Sequence, residues 1–361
     1  GFIYIEGKMN EAEQRMLESY QRESATEGVM KSLERNILEL ERAGNSDENS
    51  QQLKAMLQQS LDELKISHQL QEEAVEGMLI KQYGPLLKLQ LYSNEKELEQ
   101  LNNSATDFPN KRHELTIQAT IEEKKLLMER NIDPVFGGAT ITTVLDTWGD
   151  TKDQEYFEDV NEKIGNSALY TLYLYFTKYA YWIIVALFIS LLGIGIAAEY
   201  GKKNTIQYLK TQPLKLKHIY TGKVLASSSI VVGSILIILI GTALFTAIFN
   251  GVGSWNYPIF YYDSAKAVAQ ANYNGIRVGS IGFHFINLGE WILSACVILL
   301  GVALLIVVIG HLFGLLFKQR LAVYVAVTLV CALGYVSVDM LPAALVPFNP
   351  FTYFDIPRIV N

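Results

Sequence analysis

Four runs of apolar residues, 172–198, 220–249, 290–316 and 321–341, dictate the solvent in which the second half of this chain folds. Each is long enough as a helix to cross a hydrocarbon core of about 30 Å, for which roughly 20 residues suffice. That medium offers no water to backbone donors and acceptors, so the runs are expected to be helices that satisfy themselves. Between the first two runs lies a short basic segment, Glu199 to Lys223. From Lys202 onward it holds Lys202, Lys203, Lys210, Lys215, Lys217 and Lys223 and no carboxylate. Short loops this rich in lysine stay on the cytoplasmic side during insertion. Residues 1–170 and 251–289 are then expected outside, Phe317 to Arg320 inside, and the C-terminal stretch outside. Tyr170, Tyr173, Tyr175, Phe176, Tyr179, Tyr181 and Trp182 crowd the start of the first run, as in an interfacial aromatic belt.

Polar and apolar residues are segregated along the chain. Residues 1–165 contain 18 of the 30 basic and 32 of the 37 acidic residues, whereas the remainder carries 12 basic and 5 acidic. An acidic region joined to a membrane region with basic loops suits an exterior, water-facing module. It lacks the clustered positive charge that a nucleic-acid partner requires, and none is expected. Both cysteines, Cys296 and Cys331, fall inside apolar runs, which leaves the polar region no disulfide framework and no thiolate metal site. The opening Gly-Phe-Ile-Tyr-Ile-Glu reads as the outer end of a helix. With both ends assigned outside, one span is expected before the chain and one after it, so the chain reads as a fragment of a six-helix protein.

In the polar half, residues 9–43 and 48–82 are expected to form two long helices around the turn formers of 43–50, with Ser46 or Asp47 as caps. Leu53, Leu57, Leu64, Val75 and Met78 keep an a/d spacing, interrupted by Ser60, His68 and Gln71 at core positions. Met30, Leu33, Ile37 and Leu40 do the same in the first helix. The pattern predicts an antiparallel, coiled-coil-like hairpin with an imperfect seam. Tyr83-Gly-Pro85 ends it. A shorter helix with Leu86, Leu87, Leu91, Leu98 and Leu101 follows, then one from Arg112 to Asn131, then an acidic connector to Asn166. The expected fold is an all-α membrane protein: a polytopic helix bundle over 169–361 with an inserted helical extracytoplasmic domain over 1–168. Pro342, Pro347 and Pro350 prevent 341–356 from forming one straight span, which predicts a re-entrant or interfacial outer elbow.

Lys178 and His311 are the candidates for a substrate path, because ionisable groups within spans are costly. Against this, the Lys178 stem can lift its ammonium to the headgroups, and a lone His311 with no carboxylate nearby suits a packing or hydrogen-bonding role. His68 and His113 are isolated and have no metal-ligand spacing. Gly193-Ile-Gly195 lies in a span, where it serves close helix packing rather than phosphate binding. No nucleophile and base fall into a catalytic pattern. Ile206, Leu209 and Pro213 stand at i, i+3 and i+7, so a short helix there would lie on the membrane surface with lysines at its rim. Such an element can transmit force from a docked soluble partner.

The stretch Asn204-Thr-Ile-Gln-Tyr-Leu-Lys-Thr-Gln-Pro213, continuing to Ile219 and Lys223, resembles the cytoplasmic segment after the second transmembrane helix of ABC-2 type transporter permeases. Members typically show Gly-Thr-Ile, leucines, a proline, basic residues, then Ile and Lys entering the next helix. Here Asn204 stands for the glycine, and Lys215 and Lys217 stand where arginine is common. Phe348-Asn-Pro-Phe-Thr-Tyr-Phe354 also looks like the family's outer segment before its last helix. The likeness covers residues 170–361 and says little about 1–165. It implies a half-transporter in the bacterial plasma membrane that pairs with a second permease subunit, identical or not. It also implies that segment 200–219 is a coupling helix seated in a groove of an ATPase subunit, with Thr205, Ile206, Leu209, Lys210, Gln212, Pro213, Lys215 and His218 as the contact residues. The chain has no Gly-x-x-x-x-Gly-Lys-Ser/Thr phosphate loop. ATP and Mg are therefore expected to bind that partner, while this chain binds no cofactor and is not an enzyme. The expected function is export of an amphipathic or hydrophobic molecule (a peptide, antibiotic or lipid-like cargo), since spans with few charges do not suit a small ion. The alternative is a non-transporting helical stalk for phage attachment or secretion-complex assembly, which the long hairpin favours and the coupling segment disfavours.

Overall fold

The computed structural model describes residues 2–22, 25–42, 48–103, 112–135, 140–143, 145–148, 150–178, 215–262, 282–317, 319–338, 340, 348–354 and 356. The chain divides into two compact units, Gly1–Asn166 with Asn256–Ile286, and Ser167–Trp255 with Asn287–Asn361.

The first unit contains α1 (Phe2–Arg22), α2 (Ala25–Arg42), α3 (Glu48–Leu79), α4 (Gly84–Asn103), α5 (Glu114–Glu129) and α6 (Thr151–Val160). The stretch expected as one helix over 9–43 occurs as α1 and α2. Helix α3 packs against α1, α2 and α4 rather than against a single partner. The reason is a second apolar face: Met9, Ala12, Met16, Leu17 and Tyr20 of α1 meet Ala74 and Met78 of α3, with Tyr83, Leu86 and Leu89 closing the cluster. Gln71 sits inside this seam and donates to the Tyr20 carbonyl at 2.5 Å. Buried Ile37 keeps the expected inner face of α2, but Leu53 of the predicted seam is 48% exposed. Toward that end α2 and α3 meet through ion pairs instead, Lys54 with Glu41 at 2.8 Å and Lys65 with Glu34 at 3.2 Å.

Helix α3 ends in a tight reversal. Lys81 takes the left-handed conformation at φ 57°, and Gln82 N–H donates to the Gly77 carbonyl at 2.7 Å. A Cβ on Gly77 would stand 2.5 Å from the Gln82 carbonyl oxygen, so glycine is what lets the turn close. The Tyr83 hydroxyl then donates to Glu13 at 3.0 Å. Its ionisation is pushed up by burial first, then by that hydrogen bond and by the charges of Glu13 and Asp133. His113 caps α5, its Nδ1 accepting from Leu115 N–H at 3.1 Å, and His68 lies 3.7 Å from Glu72 on the same helix.

The stretch up to Asn166, expected to be a mere connector, is instead a layer laid across α5. Asp146 accepts from the backbone N–H of His113 at 2.8 Å and of Thr143 at 2.9 Å. Thr116 and Thr143 share a 2.6 Å hydroxyl bond, and Thr120 accepts from Ile141 N–H at 3.1 Å. Ile141, Leu145 and Ile164 are buried beneath this net. The stretch also brings Lys163 onto Glu123, a fully buried carboxylate of α5 whose other oxygen lies 3.7 Å from the equally buried Lys124 ammonium. Burial works to raise the Glu123 carboxyl, but the Lys163 and Lys124 charges outweigh it and hold it below the usual range. Burial lowers the Lys124 ammonium to about 8 despite the attraction of Glu123.

Two strands, β1 (Pro258–Tyr262) and β2 (Phe283–Asn287), depart from the all-α expectation. They pair as a two-stranded sheet, and β1 lies against α5. Their aromatic residues favour a pleated surface, with Phe260 5.9 Å from Phe283 and 6.2 Å from Phe285.

The second unit contains α7 (Ala168–Lys178), α8 (Leu216–Asn250), α9 (Leu288–Leu316), α10 (Arg320–Val338) and the 3-10 turn η1 (Pro350–Phe354). Lys217–Asn250, Leu288–Leu316 and Leu321–Val338 are long and apolar enough to cross a membrane. The protein is thus mostly α-helical, with the long apolar helices of a polytopic membrane bundle. Of the first expected span, residues 179–198 lie outside the described residues. Helix α8 begins at Leu216, before its apolar run, because Lys217 and Lys223 are good helix formers that do not interrupt it. Of the expected elbow, 341–347 lie outside the described residues, while η1 buries Thr352 and Phe354.

Removing Glu123 would leave two lysines sharing a dry site, so Glu123→Ala is expected to destabilise the protein by about 3–5 kcal/mol in equilibrium unfolding. The depressed Lys124 predicts a pH signature. Between about 8 and 10.5 the folded state gives up that proton before the unfolded chain does, so stability gained above 10.5 is lost as pH falls through 8. The stability of the unmodified protein relative to Lys124→Met should therefore climb through this window, as read from denaturant midpoints at each pH.

Candidate functional site

Helix α9 is the hub of the membrane unit, packed by α7, α8, α10 and η1. Trp291, Ala295, Leu299, Val302, Ala303, Ile306 and Val307 are buried along it, at spacings of three and four that return to the same face. At its start Trp291 is fully buried, with the Tyr173 ring of α7 edge-on at 4.8 Å and Phe176 at 6.2 Å. Two glycines admit aromatic rings. A Cβ on Gly289 would meet the Trp255 ring at 2.0 Å, and one on Gly334 would meet Phe351 of η1 at 2.3 Å. The end of α8 is tied to the start of α7 by Ala168 N–H to the Gly251 carbonyl and Leu169 N–H to the Val252 carbonyl, both 3.1 Å.

Near its other end α9 carries His311, 1% exposed. Its Nε2 lies 3.0 Å from the Ser227 hydroxyl of α8. The Tyr220 ring stands edge-on to the imidazole, centroids 6.2 Å apart. Tyr220 and Ser227 are seven residues apart, two turns of one helix face, so α8 presents both to the same imidazole. In apolar surroundings a polar side chain needs such partners, and an interhelical bond is the usual outcome.

Lys178 is exposed and closes the described part of α7. It does not join His311 in one site. Trp291, against which α7 packs, precedes His311 by about 20 residues, roughly 30 Å along a helix. Of the expected coupling residues, Thr205, Ile206, Leu209, Lys210, Gln212 and Pro213 lie outside the described residues. Lys215 occupies the cap of α8, its carbonyl accepting from His218 N–H at 2.8 Å. Both side chains are exposed. The first turn of α8 therefore carries Lys215 and His218, with Tyr220 and Ser227 following on the same helix. The sequence reading missed Ser227, Tyr220 and Trp291 as partners. The seven-residue spacing of Tyr220 and Ser227 was visible, but nothing in one dimension connects it to His311.

A sequence profile described as ABC-2 family transporter protein matches residues 24–354. The match spans most of the chain, which belongs to that family. It reaches back from the spans through α2 to α6, well beyond the likeness over 170–361. No curated protein and no solved structure matches the chain.

If His311 and Ser227 fasten α8 to α9, Ser227→Ala and His311→Leu should not be additive. A double-mutant cycle measured by unfolding in mixed micelles is expected to give a coupling of about 1 kcal/mol.

Proposed function

We propose that this chain is the membrane-spanning permease subunit of an ATP-driven ABC-2 exporter in a bacterial plasma membrane. Family membership across 24–354 carries this reading. The lysine-rich segment between two apolar runs and the absence of a phosphate loop from the sequence support it. In this reading residues 1–168 form an extracytoplasmic helical domain in which α2 and α3 supply the coiled-coil-like hairpin. Residues 200–219 dock on a separate ATPase that binds ATP and Mg. A second permease subunit, identical or not, completes the path for an amphipathic or hydrophobic cargo such as a peptide, antibiotic or lipid-like molecule.

Helix α8 suits the role of lever. It runs without interruption from Leu216, at the end of the lysine-rich segment, to Asn250, about 50 Å at 1.5 Å per residue. Displacement of the docking segment would enter α8 at Lys215 and His218 and reach α9 within a few turns through the Ser227–His311 bond. The experiment is affinity purification of the protein from native membranes, with ATPase assay of the eluate. A parallel purification uses Ile206→Asp, Leu209→Asp and Pro213→Asp combined. The expected outcome is an ATP-hydrolysing partner that the variant fails to retain. Recovery of the unmodified protein with no ATPase would overturn the transporter reading in favour of an anchored stalk.

A further inference from the structure

Residues 251–255, which follow α8, form a short loop that completes the starts of two other helices of the same unit. The Gly251 and Val252 carbonyls accept from Ala168 and Leu169, the first two N–H groups of α7, and the third, that of Tyr170, reaches the Ser167 hydroxyl at 3.4 Å. The Trp255 carbonyl accepts from Gly289 N–H of α9 at 3.0 Å. Gly251 and Gly253 take positive φ, 77° and 84°, which lets so short a loop reach both helices. A helix end in water is completed by solvent as readily as by protein. At the edge of hydrocarbon, where an unpaired N–H is costly, the chain has to supply the acceptors itself.

The loop is apolar on its open side. Phe245, Ile248 and Phe249 in the last turns of α8 are exposed, and that surface continues past the helix end through Val252, 61% exposed, and Trp255, 45% exposed. The Trp255 ring is held in place, since it lies against the backbone of Gly289 where a Cβ would strike it. Helix α9 fixes the level of the ring. Its 29 residues extend about 43 Å at 1.5 Å per residue, against about 30 Å for the hydrocarbon core and roughly 40–45 Å once the headgroups are included. A helix of that length that crosses the bilayer has its first turn, and the ring seated on it, among the headgroups. The polar pair on the same turn fits this level, with the exposed Glu290 carboxylate accepting from the Asn287 amide at 3.1 Å.

We propose that the loop Gly251–Trp255 is seated in the membrane–water interface, with Val252 at the acyl boundary and Trp255 as a headgroup anchor that sets the depth of α8 and α9. The partner is the lipid surface itself. An indole suits this layer because its ring body is apolar while its N–H can donate to a phosphate or ester oxygen. Continuity favours lipid over a protein partner, since the exposed strip of α8 that faces hydrocarbon within the span runs into the loop without a break. The inference needs α8 and α9 to span a membrane. It does not depend on transport, on an ATPase or on where the helical unit lies.

The test uses the full chain reconstituted into phosphatidylcholine–phosphatidylglycerol vesicles. Subtracting the tryptophan emission of Trp255→Phe from that of the unmodified protein isolates the Trp255 signal. That signal is expected to lie to the blue of indole in water and to be quenched several-fold more strongly by lipids brominated high on the acyl chain than by lipids brominated near its end. A second reading uses Val252→Cys and Ile237→Cys, each combined with Cys296→Ala and Cys331→Ala and labelled with an environment-sensitive fluorophore. The label at 252 should favour the shallow quencher, and the label at 237, about 20 Å back along α8 from its end, the deep one. Three results would overturn the proposal. Water-like emission, quenched by aqueous iodide and by neither lipid, would put the loop in water. Blue-shifted emission that neither the lipids nor iodide quench would mean that protein, such as a second copy or another subunit, covers it. Stronger quenching by the deep lipid would put the loop inside the hydrocarbon. Because the Val252 side chain is exposed, its label carries the test if Trp255→Phe fails to fold.

Discussion

Helices α8, α9 and α10 answer to a medium that offers no hydrogen bonds, and this constraint shapes the membrane unit throughout. Backbone groups are satisfied by uninterrupted helices, and the side chains buried along the middle of α9 are small or aliphatic, between Trp291 near one end and His311 near the other. Polar side chains are satisfied within their own helix, as where Thr246 donates to the Thr242 carbonyl at 2.8 Å, or by another helix, as where Ser227 meets His311 at 3.0 Å. Close approach is gained by omitting atoms. Gly289 and Gly334 leave room for the rings of Trp255 and Phe351 that a Cβ would occupy. Meanwhile α8 keeps Ile237, Ile248 and Phe249 on its exterior, which is expected where lipid rather than water is the neighbour.

The helical unit solves the opposite problem. Its helices are rich in charged residues and are joined by ion pairs and hydrogen bonds as well as by apolar area. Ion pairs take over from leucine toward the far end of α2 and α3, which is why Leu53 is exposed there. The cost of burying Glu123 is met by two lysines from different parts of the chain. This arrangement also explains why 140–166 cannot act as a passive connector. Without Lys163, Glu123 would lose its nearest counter-charge, and without Asp146 the backbone entering α5 would lose its acceptor.

Much of this was legible in one dimension. The runs at 220–249, 290–316 and 321–341 forecast α8, α9 and α10 to within a few residues, because hydrophobic length is read directly from composition. Met30, Leu33, Ile37 and Leu40 forecast the inner face of α2, and Leu86 and Leu87 the buried start of α4. The errors share one origin. Thr116, Thr120 and Asp146 look like ordinary polar residues, and only their partners, 21 to 33 residues away, turn them into a folded layer. Phe260, Phe283 and Phe285 fall in the stretch 251–289, of which only an outside location was expected, because a strand pair divided by twenty residues has no local signal. The family match extended the reading in the same direction, bringing α2 to α6 under one description with the spans.

The sequence by itself determined that polar and apolar residues are segregated along the chain, where the apolar helices α8, α9 and α10 run, and that a basic segment lies between two apolar runs. These follow from hydropathy and charge, which are additive properties of neighbouring residues. Only the tertiary structure decided that His311 meets Ser227 rather than Lys178, that Glu123 is buried with Lys124 and Lys163, and that Leu79 and Ile80 are left uncovered while Met78 is not. Each depends on which helix faces which, and that is settled by packing between segments far apart in sequence, where a single rotation of a helix exchanges a buried side chain for an exposed one.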